Sequence, residues 1–266
     1  MKEPKVLVVT PTHSADDYCI FDCIKSVNNF DYSNYRHILI DNSKKDKYYK
    51  KLKKHTKYIF KIPRGKDTRE AINNSMNFGR LYALEYNYDY MLVVESDLTP
   101  RPDTIRRLIN HNKAIVGSYY LLGFKKDTEK INRNIELYNK KSIDLKELKR
   151  LNKKLNPQTA CLFKLDNKDN YTLGTKILKL KEGFEYYQTG LREIHGAGMG
   201  CTLIRKDIVK RFPFWTDSRF VNKHHDVYFY FDLYNEGIKV YVDTDVLVPH
   251  KPNRFIKKEI ERLTKK

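Results

Sequence analysis

The sequence predicts an α/β fold built on a central, mainly parallel sheet, and three observations carry that prediction. Short apolar runs alternate with segments of helical periodicity from residue 5 to residue 122. The first run, residues 5–10, is apolar on both alternating sets of positions, as a strand covered on both faces must be. Three of the predicted strands end in polar clusters, Thr12-His13, Asp41-Asn42 and Glu95-Ser96-Asp97. Parallel sheets take ligands at the carboxyl ends of their strands, so three polar tips fall on one rim.

The elements follow in order. After the first strand and Pro11-Thr12, residues 15–28 carry Tyr18, Ile20, Phe21, Ile24 and Val27 at helical spacing. Residues 36–40 read as a second strand and residues 58–62 as a short third. A long helix is expected over 68–86, with Ala71, Ile72, Met76, Leu81 and Leu84 among its apolar positions. The run from Asp89 to Asp97 is a buried strand ending in carboxylates, followed by a proline-punctuated turn and a helix over 103–111. Residues 114–122 are a further strand. A Lys- and Asn-rich stretch over 125–155, with Ile131, Ile135, Leu145, Leu148, Leu151 and Leu155, reads as one or two inserted amphipathic helices. Residues 159–165 and 171–180 look like a hairpin. Residues 202–205 form a strand and 206–211 a short helix. An aromatic-rich helix over 227–235 stops at Glu236-Gly237, and strands over 238–242 and 246–248 lead to Pro249-His250. At 266 residues the chain fits a single domain, 1–266, with an insertion at 124–185 and a basic tail at 251–266.

The net charge of +19 is unevenly spread. Residues 44–66 carry 11 basic and 1 acidic side chains, residues 124–156 carry 11 and 5, and residues 251–266 carry 7 and 2. The remainder of the chain is therefore slightly acidic. Such segments read either as a Lys-rich solvated surface or as contacts for a polyanion: nucleic acid, an anionic membrane face or a phosphorylated acceptor. No apolar run is long enough to span a bilayer, and the N-terminus has no signal-peptide pattern, so the expectation is a cytoplasmic protein, at most peripheral to a membrane face. Cys19, Cys23, Cys161 and Cys201 form no CxxC pair and fit reduced structural thiols.

The chemistry-bearing residues are few. Glu95 and Asp97, two residues apart at a strand end, can converge on one hard cation, because oxygen ligands suit Mg²⁺ or Mn²⁺; such a cation can hold a diphosphate. His195-Gly196-Ala197-Gly198-Met199-Gly200 places glycines at alternate positions, which lets backbone pass close to a ligand. Asp226 opens a helix, where an N-cap is the plain structural reading. His250 ends the last strand, where a metal ligand and a packed histidine are both open readings. Trp215, the lone tryptophan, offers a face to a sugar ring or to the core.

Taken in order, Thr10-Pro11-Thr12, Asp41-Asn42-Ser43, Glu95-Ser96-Asp97, the glycines of 196–200, His225-Asp226 and His250 resemble the GT-A glycosyltransferases, especially the family 2-like enzymes. The likeness spans roughly residues 5–122 and 190–252. It implies a Rossmann-like nucleotide-binding GT-A fold and a hexosyltransferase-type enzyme that moves a sugar from a nucleotide-sugar donor, a UDP-sugar by preference, to an acceptor hydroxyl with inversion. The resemblance places Thr10, Pro11, Thr12 and Asp41 around the donor's base and ribose, with Arg69, Ser96 and Lys251 also on the donor. It gives Asp97 and His250 to a Mn²⁺ or Mg²⁺ ion, with Glu95 beside them as the first acid of the DxD motif, Glu standing where Asp is usual. It makes Asp226 the general base, with His225 where Glu is typical, and sets His195, Gly196, Gly198, Trp215 and His225 on the acceptor side. Arg254 follows as a second cation for the diphosphate. The acceptor is a glycan, protein, lipid or modified nucleic acid.

Three other classes compete. A nucleotidyltransferase that makes nucleotide sugars would open with a glycine-rich loop and a basic residue, where this chain has Pro11-Thr12-His13-Ser14. A nucleic-acid-binding or DNA-base-modifying protein would use the basic segments, yet the chain carries no zinc module, ribonucleoprotein motif or helix-turn-helix. An inactive GT-A binding module would have less reason to keep Asp97, Asp226 and His250.

Overall fold

The computed structural model describes residues 3–121, 126–152, 162–169, 172–177, 188–217 and 224–251. Arg254, the tail beyond residue 251, Cys161 and parts of the insertion lie outside the described residues. Within them an eight-stranded sheet runs in the order β3-β2-β1-β4-β10-β5-β11-β8. Its strands are β1 (Val6–Thr12), β2 (Tyr35–Asp41), β3 (Ile59–Lys61), β4 (Tyr90–Val94), β5 (Ile115–Tyr119), β8 (Leu191–Ile194), β10 (Cys201–Arg205) and β11 (Val240–Leu247). The pairings β3–β2, β2–β1, β1–β4 and β5–β11 are parallel, while β10 is antiparallel to both β4 and β5, and β8 to β11. The sheet is thus mostly parallel, with two reversed strands, β10 at its middle and β8 at its edge. A smaller sheet, β7-β6-β9, holds β6 (Leu162–Asp169), β7 (Thr172–Ile177) and β9 (Gly196–Ala197), and contains the expected hairpin.

Helices cover both faces. They are α1 (Ile20–Asn28), α2 (Asp46–Leu52), α3 (Thr68–Glu85), α4 (Thr104–Asn110), α5 (Lys126–Asn139), α6 (Leu145–Asn152), α7 (Lys206–Arg211) and α8 (His225–Asn235). The alternation of the strand decides which helix meets which residues. Leu7 and Val9 of β1 pack in one cluster with Met76 and Ala83 of α3, while Val6 and Val8 pack in another with Cys23 and Val27 of α1. All four β1 residues have no solvent exposure, which is why the run reads as continuously apolar. Asp67 caps α3 by accepting from the Glu70 amide at 2.9 Å, and fixes where the long helix starts.

Local differences from the sequence reading have identifiable causes. The expected single helix over 15–28 is divided. Ser14–Tyr18 is a 3-10 turn closed by a box in which His13 Nδ1 accepts from the Ala15 amide and Asp16 accepts from the His13 amide. The chain leaves helical geometry at Cys19 before α1 begins. Helix α2 was not anticipated, because its four charged residues mask the one-turn pair Tyr48 and Leu52 that it buries. The strands expected over 238–242 and 246–248 are one strand, β11, with an irregularity between Asp243 and Leu247. No described helix is long and apolar enough to cross a membrane.

Candidate active site

The tips of β1, β2 and β4 converge on a cavity of about 520 Å³ lined by Pro11, Thr12, His13, Asn42, Glu95, Ser96, Asp97, His225 and His250, with Asp16, Tyr18 and Arg64 at its walls. Strand β4 stops at Val94, so Glu95-Ser96-Asp97 is freed from the ladder and turns into the cavity. The turn is tied at both ends: the Glu95 amide donates to the Gly200 carbonyl at 2.7 Å, and the Leu98 amide to the Glu95 carbonyl at 3.0 Å.

His250 reaches the same turn from the other side of the sheet. Beyond β11, the chain crosses back, and Leu98 and His250 form an isolated antiparallel bridge. The Lys251 amide donates to the Asp97 carbonyl at 2.7 Å, and the His250 Nε2 lies 3.0 Å from Asp97 Oδ2. Two residues 153 positions apart are thereby held side by side. Burial works against a charged His250, but the hydrogen bond and charge of Asp97 and the charge of Glu95 outweigh it and raise its pKa. The other oxygen of the carboxylate, Asp97 Oδ1, is buried without a hydrogen-bond partner.

The cavity is crowded with carboxylates. Burial first, then the Asp97 and Asp226 charges, push the Glu95 carboxyl well above the ordinary range, with Asp16 adding to the effect and His250 opposing it. Asp16 is likewise raised, chiefly by burial, and its Oδ2 accepts from the His13 amide at 2.9 Å and faces the Thr12 hydroxyl at 3.4 Å. A site that gathers buried like charges in this way favours a cation. Among the described residues no three His, Cys, Asp or Glu side chains form a ready-made metal cluster. Asp97 with its orphaned Oδ1 nonetheless fits Mg²⁺ or Mn²⁺, which are often held by one or two carboxylates and complete their shell with substrate phosphates and water.

The other sequence candidates fall in different places. Pro11, Thr12, Ser96 and His225 line the cavity. Thr10 does not: its hydroxyl pairs with His37 Nε2 at 2.9 Å inside the sheet. Asp41 is fully buried beneath the rim, its Oδ1 accepting from the Ser43 amide at 2.8 Å and its Oδ2 meeting Lys61 Nζ at 3.2 Å, so the neighbouring Asn42 is the residue exposed to the cavity. Arg69 pairs with Asp67 at 3.4 Å, whereas Arg64 takes the cavity wall and donates to Asn42 Oδ1 at 3.0 Å. The Lys251 ammonium is drawn away to Asp22 at 2.6 Å.

On the C-terminal side, α8 begins at His225 with His224 as its N-cap, so Asp226 is not the cap. Its Oδ1 accepts from the Val227 amide at 2.8 Å, and its charge is felt at Glu95. His225 is 5% exposed; burial holds its pKa down, against the pull of Asp226, so it brings no fixed positive charge to the cavity. Trp215 leans on Tyr228 at 4.5 Å between ring centres and donates its indole N–H to Asp232 at 2.7 Å, outside the cavity lining. His195 sits against Tyr234, with ring centres 5.0 Å apart.

The glycine segment packs against protein. A Cβ on Gly196 would fall 2.2 Å from the Phe163 ring, and one on Gly200 would fall 2.6 Å from Leu98 and 2.8 Å from the Tyr120 hydroxyl. Gly198 is buried in the same run. Close approach does require these glycines at 196 and 200, but the atoms approached are side chains of β6, of the turn after β4 and of Tyr120 just past β5, where a ligand was expected. Asp16, Tyr18 and Arg64 were missed by the sequence reading. Asp16 did carry a signal, since an acid three residues after a capping residue is the mark of a capping box.

Comparison with known proteins bears on the family and the fold. No curated protein sequence matches the chain. Among solved structures, A197 from STIV is similar at 11% identity and a TM-score of 0.44, over 93% of this chain and 94% of that one, too distant to bear on the argument. The model of glycosyl transferase family 2 matches residues 7–213, which reach from β1 through β10 and α7 and include the Glu95-Ser96-Asp97 turn and the glycine run, while Asp226, β11 and His250 lie beyond the match. The chain belongs to glycosyl transferase family 2, and its GT-A-type mixed sheet is the fold of a glycosyltransferase.

Proposed function

We propose that the protein is a metal-dependent transferase that moves a sugar from a nucleotide-sugar donor, a UDP-sugar by preference, to an acceptor hydroxyl with inversion, and that all of this is done by the single domain 1–266. The observation that carries the reading is the Asp97–His250 pair, held at 3.0 Å by backbone from both sides with Asp97 Oδ1 left unpartnered in a cavity rich in carboxylates. Asp97 and His250, with Glu95 adjacent, would hold Mn²⁺ or Mg²⁺, which as a Lewis acid would neutralise charge on a departing diphosphate.

The chain's own groups do the rest. Pro11, Thr12, Asn42 and Arg64 form the wall for the nucleoside end, where Arg64 is a cation kept in place by Asn42 and faces Thr68 at 3.4 Å. Ser96 lies between the two acids and shares a hydrogen bond with Asp16, which sets the turn's conformation. Asp226 is the group assigned to take the proton from the acceptor hydroxyl as its oxygen attacks the anomeric carbon. Its position on the first turn of α8, close enough to raise the Glu95 pKa, supports that role.

The test is nucleotide release from UDP-, GDP-, dTDP- and CMP-sugars with Mn²⁺ and then with EDTA, run with a thermal-shift titration of free nucleotides. Asp97→Ala should stay folded and lose the metal-dependent stabilisation by nucleotide. Asp226→Asn should keep that stabilisation and lose transfer by about 10²-fold or more, the usual worth of a positioned base. Nucleotide binding that ignores both EDTA and Asp97→Ala removes the metal reading, and full transfer by Asp226→Asn removes the base.

A further inference from the structure

A second cavity, of about 1050 Å³, adjoins the carboxylate site and shares His13 and Arg64 with it. Its character is opposite. Lys44, Lys45, Lys47, Lys50, Lys51, Lys54 and Arg64 line it, with Asp17 as the one acid among the described lining residues. Lys51 is paired with that aspartate at 2.6 Å. Lys44, Lys45, Lys47, Lys50 and Lys54 are exposed and form no ion pair with any described residue. Concentrating unpaired like charge around a concavity costs self-repulsion, and no structural partner among the described residues offsets it.

The arrangement of the cations narrows the partner. The unpaired Lys47, Lys50 and Lys54 follow one another at helical spacings of three and four along and just past α2, which puts neighbouring side chains roughly 5–6 Å apart. An evenly spaced row suits a linear polyanion. Isolated phosphate groups on a peptide are usually met by the forked geometry of several arginines, and here the wall has one arginine among six lysines. A bilayer surface is planar, whereas these cations surround a concavity. The one Phe, Tyr or Trp among the described lining residues, Tyr48, is 5% exposed and spends its hydroxyl on Thr12 at 2.7 Å, so it offers no face for a base.

We propose that this lysine-lined cavity is a docking surface for a single-stranded nucleic-acid segment, held through its phosphodiester backbone without regard to base sequence. The assignment is independent of the transfer reaction. Single-strand binders combine a cationic groove with stacking aromatics; this groove supplies the first without the second, so affinity is electrostatic. The five unpaired lysines set its salt dependence: at about 0.7 counterions released per neutralised phosphate, log Kd against log salt has a slope of magnitude about 3 to 4.

The experiment is fluorescence anisotropy of the full chain with a labelled mixed-sequence strand of about 12 nucleotides across a salt series, repeated with a second, unrelated sequence. Wild type should bind both alike with that slope, and binding should persist in saturating UDP with Mn²⁺. The variant K47E/K50E/K54E should bind more than tenfold more weakly, with the slope reduced by about 2. The neutral variant K47Q/K50Q/K54Q should fall between them. All three substituted positions are exposed, and an unchanged nucleotide thermal shift in the variants separates this surface from the donor site. The proposal is overturned if the strand does not bind, if the variants bind as wild type does, or if UDP displaces the strand, which would make the cavity part of the donor site. Capture by phosphatidylserine vesicles without capture of the strand overturns it equally.

Discussion

Thr10 and His37 show how one side chain can read as a ligand contact and serve as a strut. The hydroxyl at the end of β1 is spent on His37 Nε2 at 2.9 Å, across the β1–β2 pair. Burial drives the His37 pKa from 6.5 down to about 3, so the folded chain holds this imidazole neutral. Between those values the unfolded chain binds the extra proton. Stability from this residue is therefore complete above about pH 6.5 and is lost as the pH falls toward 3, by at most about 1.4 kcal/mol per pH unit. Urea denaturation at pH 7, 6 and 5 should show His37→Gln losing less stability over that range than wild type. Equal losses in the two proteins would mean that folding leaves the His37 pKa unshifted.

At the scale of elements, the decisive contact under the site is α3 on β1, because β1 carries Pro11 and Thr12 to the cavity. Gly79 makes this contact close: a Cβ there would stand 2.6 Å from Val9 Cγ1 and 3.0 Å from Cγ2. Alanine in mid-helix normally gains up to about 1 kcal/mol over glycine. Here Val9 has no exposure and sits in a packed cluster, so overpacking at about 1–3 kcal/mol outweighs the propensity gain. Gly79→Ala should lower the urea midpoint, and adding Val9→Ala should recover part of the loss relative to the sum of the single changes. Additivity of the two would place the strain elsewhere. The helix was legible through its period but this contact was not, since a lone glycine in a helical pattern reads only as a weak position.

For the whole molecule, what was legible followed the period of the chain, and what was not followed contacts across it. Val6–Val9, the alternation of strands and helices, and the acids after β4 were all visible because burial leaves a local pattern. The approach of His250 to Asp97 depends on a crossing 153 residues later, and only the resemblance to GT-A enzymes anticipated that these two belong together. Arg64 displaced Arg69 on the cavity wall because Asp67 caps α3 and engages Arg69, a choice made by loop geometry. Charge was the converse case: the net of +19 was plain, and its concentration around one concavity appeared only once α2 had formed. That concentration has a global consequence. The lysine row is spaced within a Debye length even at 0.1 M salt, where screening reaches about 10 Å, and far inside it at 0.01 M, where it reaches about 30 Å. The exposed ion pairs of the surface contribute little each, so repulsion among unpaired cations dominates the response to salt. Raising NaCl from about 0.01 to 0.2 M should therefore raise the thermal midpoint by a few degrees, roughly 1 kcal/mol for a chain of this size. The K47E/K50E/K54E variant should start higher at low salt and gain less. A midpoint that falls steadily with NaCl in the wild type would mean that the surface ion pairs outweigh the lysine field.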